Sequence, residues 1–155
     1  MIRREMLRQT ALTTGCLCTC GVLKVLAQES DCCNTPDLEP ESYTIQKDRI
    51  VVDIQKAPCL AEPGHAAFIS APDKDIDIIL VRPDAETFVA LSRFCTHGRQ
   101  VLSYNPDRRL LQCNSYNHSL FELDGQVFKG PAEKPLISYV VIKNQHQLTI
   151  WRRDA

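Results

Sequence analysis

The chain has 155 residues, 44% of them hydrophobic and 24% charged, with a formal net charge of −1. Setting aside a 27-residue leader leaves 128 residues, room for one domain with a core but not for a second, catalytic domain. That remainder carries 14 basic against 18 acidic residues, a net of −4 without a basic run, so nucleic acid is not an expected partner.

In chain order, the first element is a targeting peptide over residues 1–27. Arg3-Arg4-Glu5-Met6-Leu7-Arg8 resembles the twin-arginine export motif, the stretch from Gln9 to Leu23 is uncharged, and Val25-Leu26-Ala27 offers a cleavage site before Gln28. The uncharged run is 15 residues long and ends at Lys24. A membrane span needs about 20 residues, so cleavage is expected and a retained anchor facing the periplasm is the alternative. A lipoprotein reading at Thr13-Thr14-Gly15-Cys16 is weaker, because the residues before Gly15 match a lipobox poorly. The expected location is the periplasm.

Residues 28–41 are polar, include Pro36 and Pro40, and read as a linker with few contacts. From residue 42 to 153 one domain is expected, made of strand after strand. Arg49 to Ile54, Ala66 to Ile69, Ile76 to Val81, Thr87 to Ser92, Val101 to Tyr104 and Leu110 to Gln112 are β-branched or alternate apolar with polar. Turns fall at Arg82-Pro83-Asp84 and Asn105-Pro106-Asp107. Leu120 to Leu123 and Gln126 to Phe128 pair across Asp124-Gly125, and Ile137 to Ile142 faces Gln147 to Trp151. No long segment has a helical period. The fold class is all-β, a sandwich of small antiparallel sheets.

The chemistry concentrates in two loops, Cys95-Thr96-His97-Gly98 and Cys113-Asn114-Ser115-Tyr116-Asn117-His118. Each offers one thiolate and one imidazole. This donor set resembles that of Rieske iron-sulfur domains, in which one iron of a two-iron, two-sulfur cluster takes two cysteines and the other two histidines. Neutral imidazoles leave the cluster less negative and easier to reduce, at roughly −150 to +300 mV against about −400 mV for an all-cysteine cluster. The resemblance continues through Ser119 to Phe128 and into Gly130-Pro131-Ala132-Glu133-Lys134-Pro135-Leu136, similar to the proline-containing third loop that covers the cluster in this family. It implies a Rieske-like fold with a two-loop cluster-binding subdomain, ligands Cys95, His97, Cys113 and His118, one 2Fe-2S cluster per chain, and one-electron transfer with a redox partner protein or a larger oxidoreductase subunit. His97 and His118 would then exchange protons as the electron comes and goes.

Two departures accompany the resemblance. The family pattern places the second histidine three residues after its cysteine, where this chain has Tyr116, and four before a phenylalanine, where it has Asn117. The second loop has one net extra residue, and His118 is assigned because a loop absorbs an insertion more cheaply than iron loses a ligand. The loop disulfide of many high-potential Rieske proteins is also not expected, since no further cysteine follows His97 or Cys113 in either loop. Hydroxyls of Ser115, Tyr116, Ser119 or Tyr104 are candidates for bonding the sulfides and raising the potential.

Of the other cysteines, Cys16, Cys18 and Cys20 fall in the leader. Cys59 could bond Cys32 or Cys33, closing a loop worth about 3 kcal/mol, or all three could be free thiols. Asp73 to Asp77 alternates acids but lacks the glycine and glutamate of a calcium loop. His65 and His146 are the only histidines left, and they stand far apart in sequence on separate expected strands, which does not suit an oxygenase iron site of two histidines and a carboxylate, so the chain reads as a component of an oxidoreductase rather than a complete enzyme. The alternative function is a structural or interaction module in which the same two cysteines and two histidines hold zinc.

Overall fold

The structure, a computed structural model, describes residues 35–152. The targeting segment 1–27 with Cys16, Cys18 and Cys20, most of the expected linker with Cys32 and Cys33, and residues 153–155 lie outside the described residues.

Eleven strands account for the ordered backbone: β1 Tyr43–Ile45, β2 Arg49–Asp53, β3 His65–Ala71, β4 Ile76–Arg82, β5 Val89–Ser92, β6 Leu102–Asn105, β7 Leu110–Cys113, β8 Leu120–Phe121, β9 Val127–Lys129, β10 Ser138–Asn144 and β11 Gln147–Arg152. They form a seven-stranded sheet in the order β1-β2-β11-β10-β5-β4-β3 and a four-stranded sheet β6-β7-β8-β9, every strand pair antiparallel. The all-β expectation holds, and the only helical turns among the described residues are short 3-10 segments, three of them opened by a proline.

The two layers follow from the period of the strands. Successive side chains on a strand point to opposite faces, and β4 is apolar on both. Ile78 and Leu80 enter one core with Ala67, Ile69, Ala90, Val52, Ile50, Leu148 and Ile150. Ile79 and Val81 enter a second core with Ala66, Phe68, Leu91 and the small-sheet residues Leu102, Leu111 and Phe121. A strand buried on both faces needs a continuous apolar run, and Ile78 to Val81 supplies it. The small sheet therefore lies on the outer face of β3–β4–β5.

Two segments depart from the sequence reading. The stretch expected to be a contact-poor linker is, from Pro36 onward, part of the fold: Asp37 bridges Phe68 in parallel, Leu38 N donates to Phe68 O at 2.7 Å and Phe68 N to Pro36 O at 2.8 Å, and Leu38 is buried. β3 is an edge strand with unpaired backbone groups, and this segment satisfies two of them. The short β1 was not anticipated, because three residues are too few to show a period. Other strand ends differ from expectation by one or two residues; β5 starts at Val89 because Asp84 caps the preceding turn by accepting from Glu86 N and Thr87 N. No helix among the described residues is long and apolar enough to cross a membrane.

Candidate metal centre

Both cysteine–histidine loops leave the outer ends of the small sheet. The first joins β5 to β6 and is closed at its base by the Phe94–Val101 bridge and Leu102 N→Arg93 O at 2.9 Å. Within it, Cys95 N donates to Gln100 O at 2.8 Å and Arg99 N to Cys95 O at 2.9 Å. The second joins β7 to β8, closed by Cys113 N→Ser119 O at 2.9 Å and turned by His118 N→Ser115 O at 3.1 Å. Asn114 N→Val101 O at 3.1 Å ties the second loop to the foot of the first.

These closures bury the two thiols side by side. Cys95 and Cys113 are each 1% exposed and belong to the second core with Leu102, Tyr104, Leu111, Phe121, Ala132 and Leu136. Burial pushes the Cys113 thiol up; its hydrogen bond with Ser115 opposes the rise and the neighbouring Cys95 adds to it. A buried thiol whose pKa is raised in this way is a poor nucleophile until a cation compensates its thiolate, so Cys113 beside Cys95 is chemically suited to a metal and poorly suited to nucleophilic catalysis.

The third segment, between β9 and β10, lies over both loops. Thr96 Oγ1 donates to Lys134 O at 2.7 Å, holding it to the first loop. Ala132 N donates to Ser119 Oγ at 3.1 Å in a buried bond, holding it to the second. Leu136 N→Gly125 O at 2.9 Å fixes its far end. Gly125 has φ +93°, a conformation that glycine adopts without a Cβ clash, and a Cβ there would lie 3.1 Å from Leu136 O.

The imidazoles are placed differently. His97 and His118 are both exposed on the outer side of their loops. His118 has a left-handed backbone, φ +42°. Its Nδ1 lies 3.1 Å from Cys113 O and 3.3 Å from Gln112 Nε2, donating to the former or accepting from the latter according to which nitrogen carries the proton. Among the described residues no three His, Cys, Asp or Glu side chains converge on one point. The structure thus joins the two cysteines and leaves both histidines at the solvent edge. That arrangement fits a group bound by thiolates from inside and imidazoles from outside, with His118 having to turn Nδ1 away from its own backbone or to use its other nitrogen.

Of the four hydroxyls considered, Ser115 alone bonds a thiol, with Oγ 3.2 Å from Cys113 Sγ. Ser119 is engaged by Ala132, Tyr116 is 96% exposed, and Tyr104 is buried without a hydrogen-bond partner, its hydroxyl sensing Arg109 and Asp84 at the opposite end of β6 and β7. The roles of Thr96 and Ser119 as ties to the third segment were not foreseen. His65 opens β3, its Nδ1 against Glu62 O, and His146 sits in the β10–β11 turn, its carbonyl accepting from Ile54 N. Cys59 is half-buried, with its thiol pushed up by burial, and the two cysteines considered as its partners lie outside the described residues.

Comparison with known proteins bears on the family and the fold. The family model described as Rieske [2Fe-2S] domain matches residues 53–140, more than half of the chain. No curated protein matches significantly. Among solved structures, the ferredoxin of carbazole 1,9a-dioxygenase from Nocardioides aromaticivorans IC177 is similar at 19% identity and TM-score 0.51, over 59% of this chain and 88% of that one. The plasma membrane Rieske protein PetC3 from the cyanobacterium Synechocystis PCC 6803 is similar at 20% identity and TM-score 0.47, over 55% of this chain and 84% of that one. The chain belongs to the Rieske [2Fe-2S] domain family, whose two-iron, two-sulfur cluster carries electrons.

Proposed function

We propose that Cys95, His97, Cys113 and His118 hold the cluster, and that the protein is an exported, periplasmic electron carrier serving a redox partner or a larger oxidoreductase as its small subunit. The observation that carries the ligand assignment is the pair of buried thiols at the feet of two loops that each present an exposed histidine. Bound there, the cluster supplies a centre that takes up and returns one electron. Cys95 and Cys113 hold it from the apolar side, where Leu102, Leu111, Phe121 and Leu136 exclude water. His97 and His118 face solvent, where a partner can approach and where a ring nitrogen can exchange a proton. The third segment closes the remaining side through Thr96 and Ser119.

Export is supported by the paired Arg3 and Arg4 and the uncharged run behind them. The pathway such a motif serves carries folded proteins, which suits a cluster inserted before leaving the cytoplasm.

The test is an EPR spectrum of the dithionite-reduced protein beside a His118→Ala variant, with iron and sulfide quantified in both. A Rieske-type signal present in the parent and lost in the variant is the expected result. A signal in both moves the fourth ligand elsewhere, and zinc without iron in the parent withdraws electron transfer for this chain. Fractionation of cells producing the full chain, with and without Arg3→Lys and Arg4→Lys together, tests the location; an equal periplasmic share in both refutes twin-arginine export.

A further inference from the structure

Four side chains alternate, aromatic and cationic, from the second core out to the first loop. The Arg93 guanidinium lies 4.4 Å from the centroid of Phe68 on β3 and 5.6 Å from that of Phe94, and Arg99 covers Phe94 at 5.5 Å. The backbone secures the same residues: Arg93 N donates to Asp77 O at 3.0 Å, Phe94 bridges Val101, and Arg99 N donates to Cys95 O. Each cation over a ring face is attracted by the ring quadrupole, more strongly when desolvated.

The two cations differ in charge balance. The Arg93 side chain is 20% exposed and is paired with Asp37 at 3.6 Å. Arg99 is exposed and pairs with no carboxylate among the described residues. Its backbone is also left-handed, φ +54°, a conformation strained for a non-glycine residue. Gly98, next to it, has no such φ and open space where a Cβ would be. The strain therefore sits on the residue that carries the charge, and the stack on Phe94 is what fixes that charge in place.

We infer that Arg99 is a potential-setting residue: an uncompensated cation, two positions from His97 and four from Cys95, positioned by Phe94, Arg93 and Phe68. The inference rests on the cluster being held by those loops as proposed above. One electron passing from the reductant to the centre makes it one charge more negative, and a fixed cation nearby favours that state. Because Arg99 is exposed, the contribution weakens with ionic strength.

The experiment compares the full, cluster-loaded chain with Arg99→Gly, Arg99→Lys and Phe94→Leu by redox titration with dithionite at low and high salt, alongside thermal unfolding. In Arg99→Gly the reduction equilibrium weakens at least threefold, a tenfold change being 59 mV for one electron, and the difference shrinks in high salt. The same variant melts at a higher temperature than the parent, since glycine relieves the left-handed strain; a purely structural role for Arg99 predicts no change in potential. Arg99→Lys returns the potential toward the parent's. Phe94→Leu lowers it although Arg99 is present. An Arg99→Gly midpoint equal to the parent's, or a shift indifferent to salt, overturns the inference. A parent without an EPR signal overturns the proposed ligand assignment instead, and the unfolding comparison still tests whether Arg99 is strained.

Discussion

Ser119→Ala isolates what holds the third segment down. Ser119 is fully buried, and its Oγ accepts the Ala132 amide at 3.1 Å in a bond sheltered from solvent. Removing the oxygen leaves a buried N–H without a partner, which costs the desolvation of that group, about 1–3 kcal/mol. For a domain of this size each kcal/mol moves Tm by roughly 3–6 °C, so a fall of about 3–18 °C is expected. The loss should be local: hydrogen exchange at the Ala132 amide accelerates strongly, while amides deep in β4 follow only the change in global stability. The cluster should also be lost faster to a chelator, because the segment opens toward the thiols more often. Unchanged exchange at Ala132 together with a stability change below about 0.5 kcal/mol would refute the claim that this hydroxyl clamps the segment.

The two glycines near the site should respond oppositely to an added methyl group. Gly125→Ala must hold φ near +93° with Cβ 3.1 Å from Leu136 O and 3.2 Å from Leu91 Cδ2, a cost of about 1–3 kcal/mol in urea unfolding, whereas Gly98→Ala meets nothing and stays within about 0.5 kcal/mol. Asp84 is held below the ordinary carboxylate range chiefly by Thr87, with Glu86 N and Arg109 assisting. Its folded value lies below its unfolded one, so its contribution is present above about pH 4 and is lost as pH falls through the folded value. Asp84→Asn should therefore lose less stability than the parent between neutral pH and about pH 3; parallel curves would remove Asp84 from the acid response. Under the ligand assignment proposed above, an imidazole-held centre takes up a proton with its electron, and the potential should fall as pH rises. A potential flat from about pH 6 to about pH 10 would detach those histidines from the redox centre.

What the sequence makes legible follows physical range. Ile76 to Val81 and Leu148 to Ile150 announce strands because burial on one or both faces writes a period into a few consecutive residues. The docking of Pro36–Leu38 on β3 leaves no such mark: it is a backbone pairing with an edge strand far along the chain, and its polar, proline-bearing sequence looks like any linker. In the site, Cys95 and Cys113 are apparent from residue type and spacing. Thr96 and Ser119 are not, since a hydroxyl bonded to a backbone group 38 or 13 residues away carries no sequence signal of its own. The alternation of Phe68, Arg93, Phe94 and Arg99 is equally hidden, because Phe68 comes from β3, far from the other three in sequence.

The extra residue of the second loop gains a physical meaning from where its slack lies. Cys113 N→Ser119 O closes the loop at its foot, so the length between those two positions can vary without moving either end. Loop-closure entropy changes only slowly with length, and the residues that absorb the difference, Tyr116, Asn117 and His118, are all exposed. The thiol geometry is thereby insulated from the insertion, whereas the imidazole is not: His118 takes up the excess as a left-handed turn that points Nδ1 at Cys113 O. A loop disulfide would have stiffened the two loops together. Here that task falls to the third segment, whose bonds to Thr96 and Ser119 brace one loop each and leave the outer half of the second loop, with the ligand proposed at His118, unbraced. The buried half of the centre is thus set by packing and the exposed half by loop conformation, which is why variants at His118 and Ser119 should separate ligand identity from loop clamping.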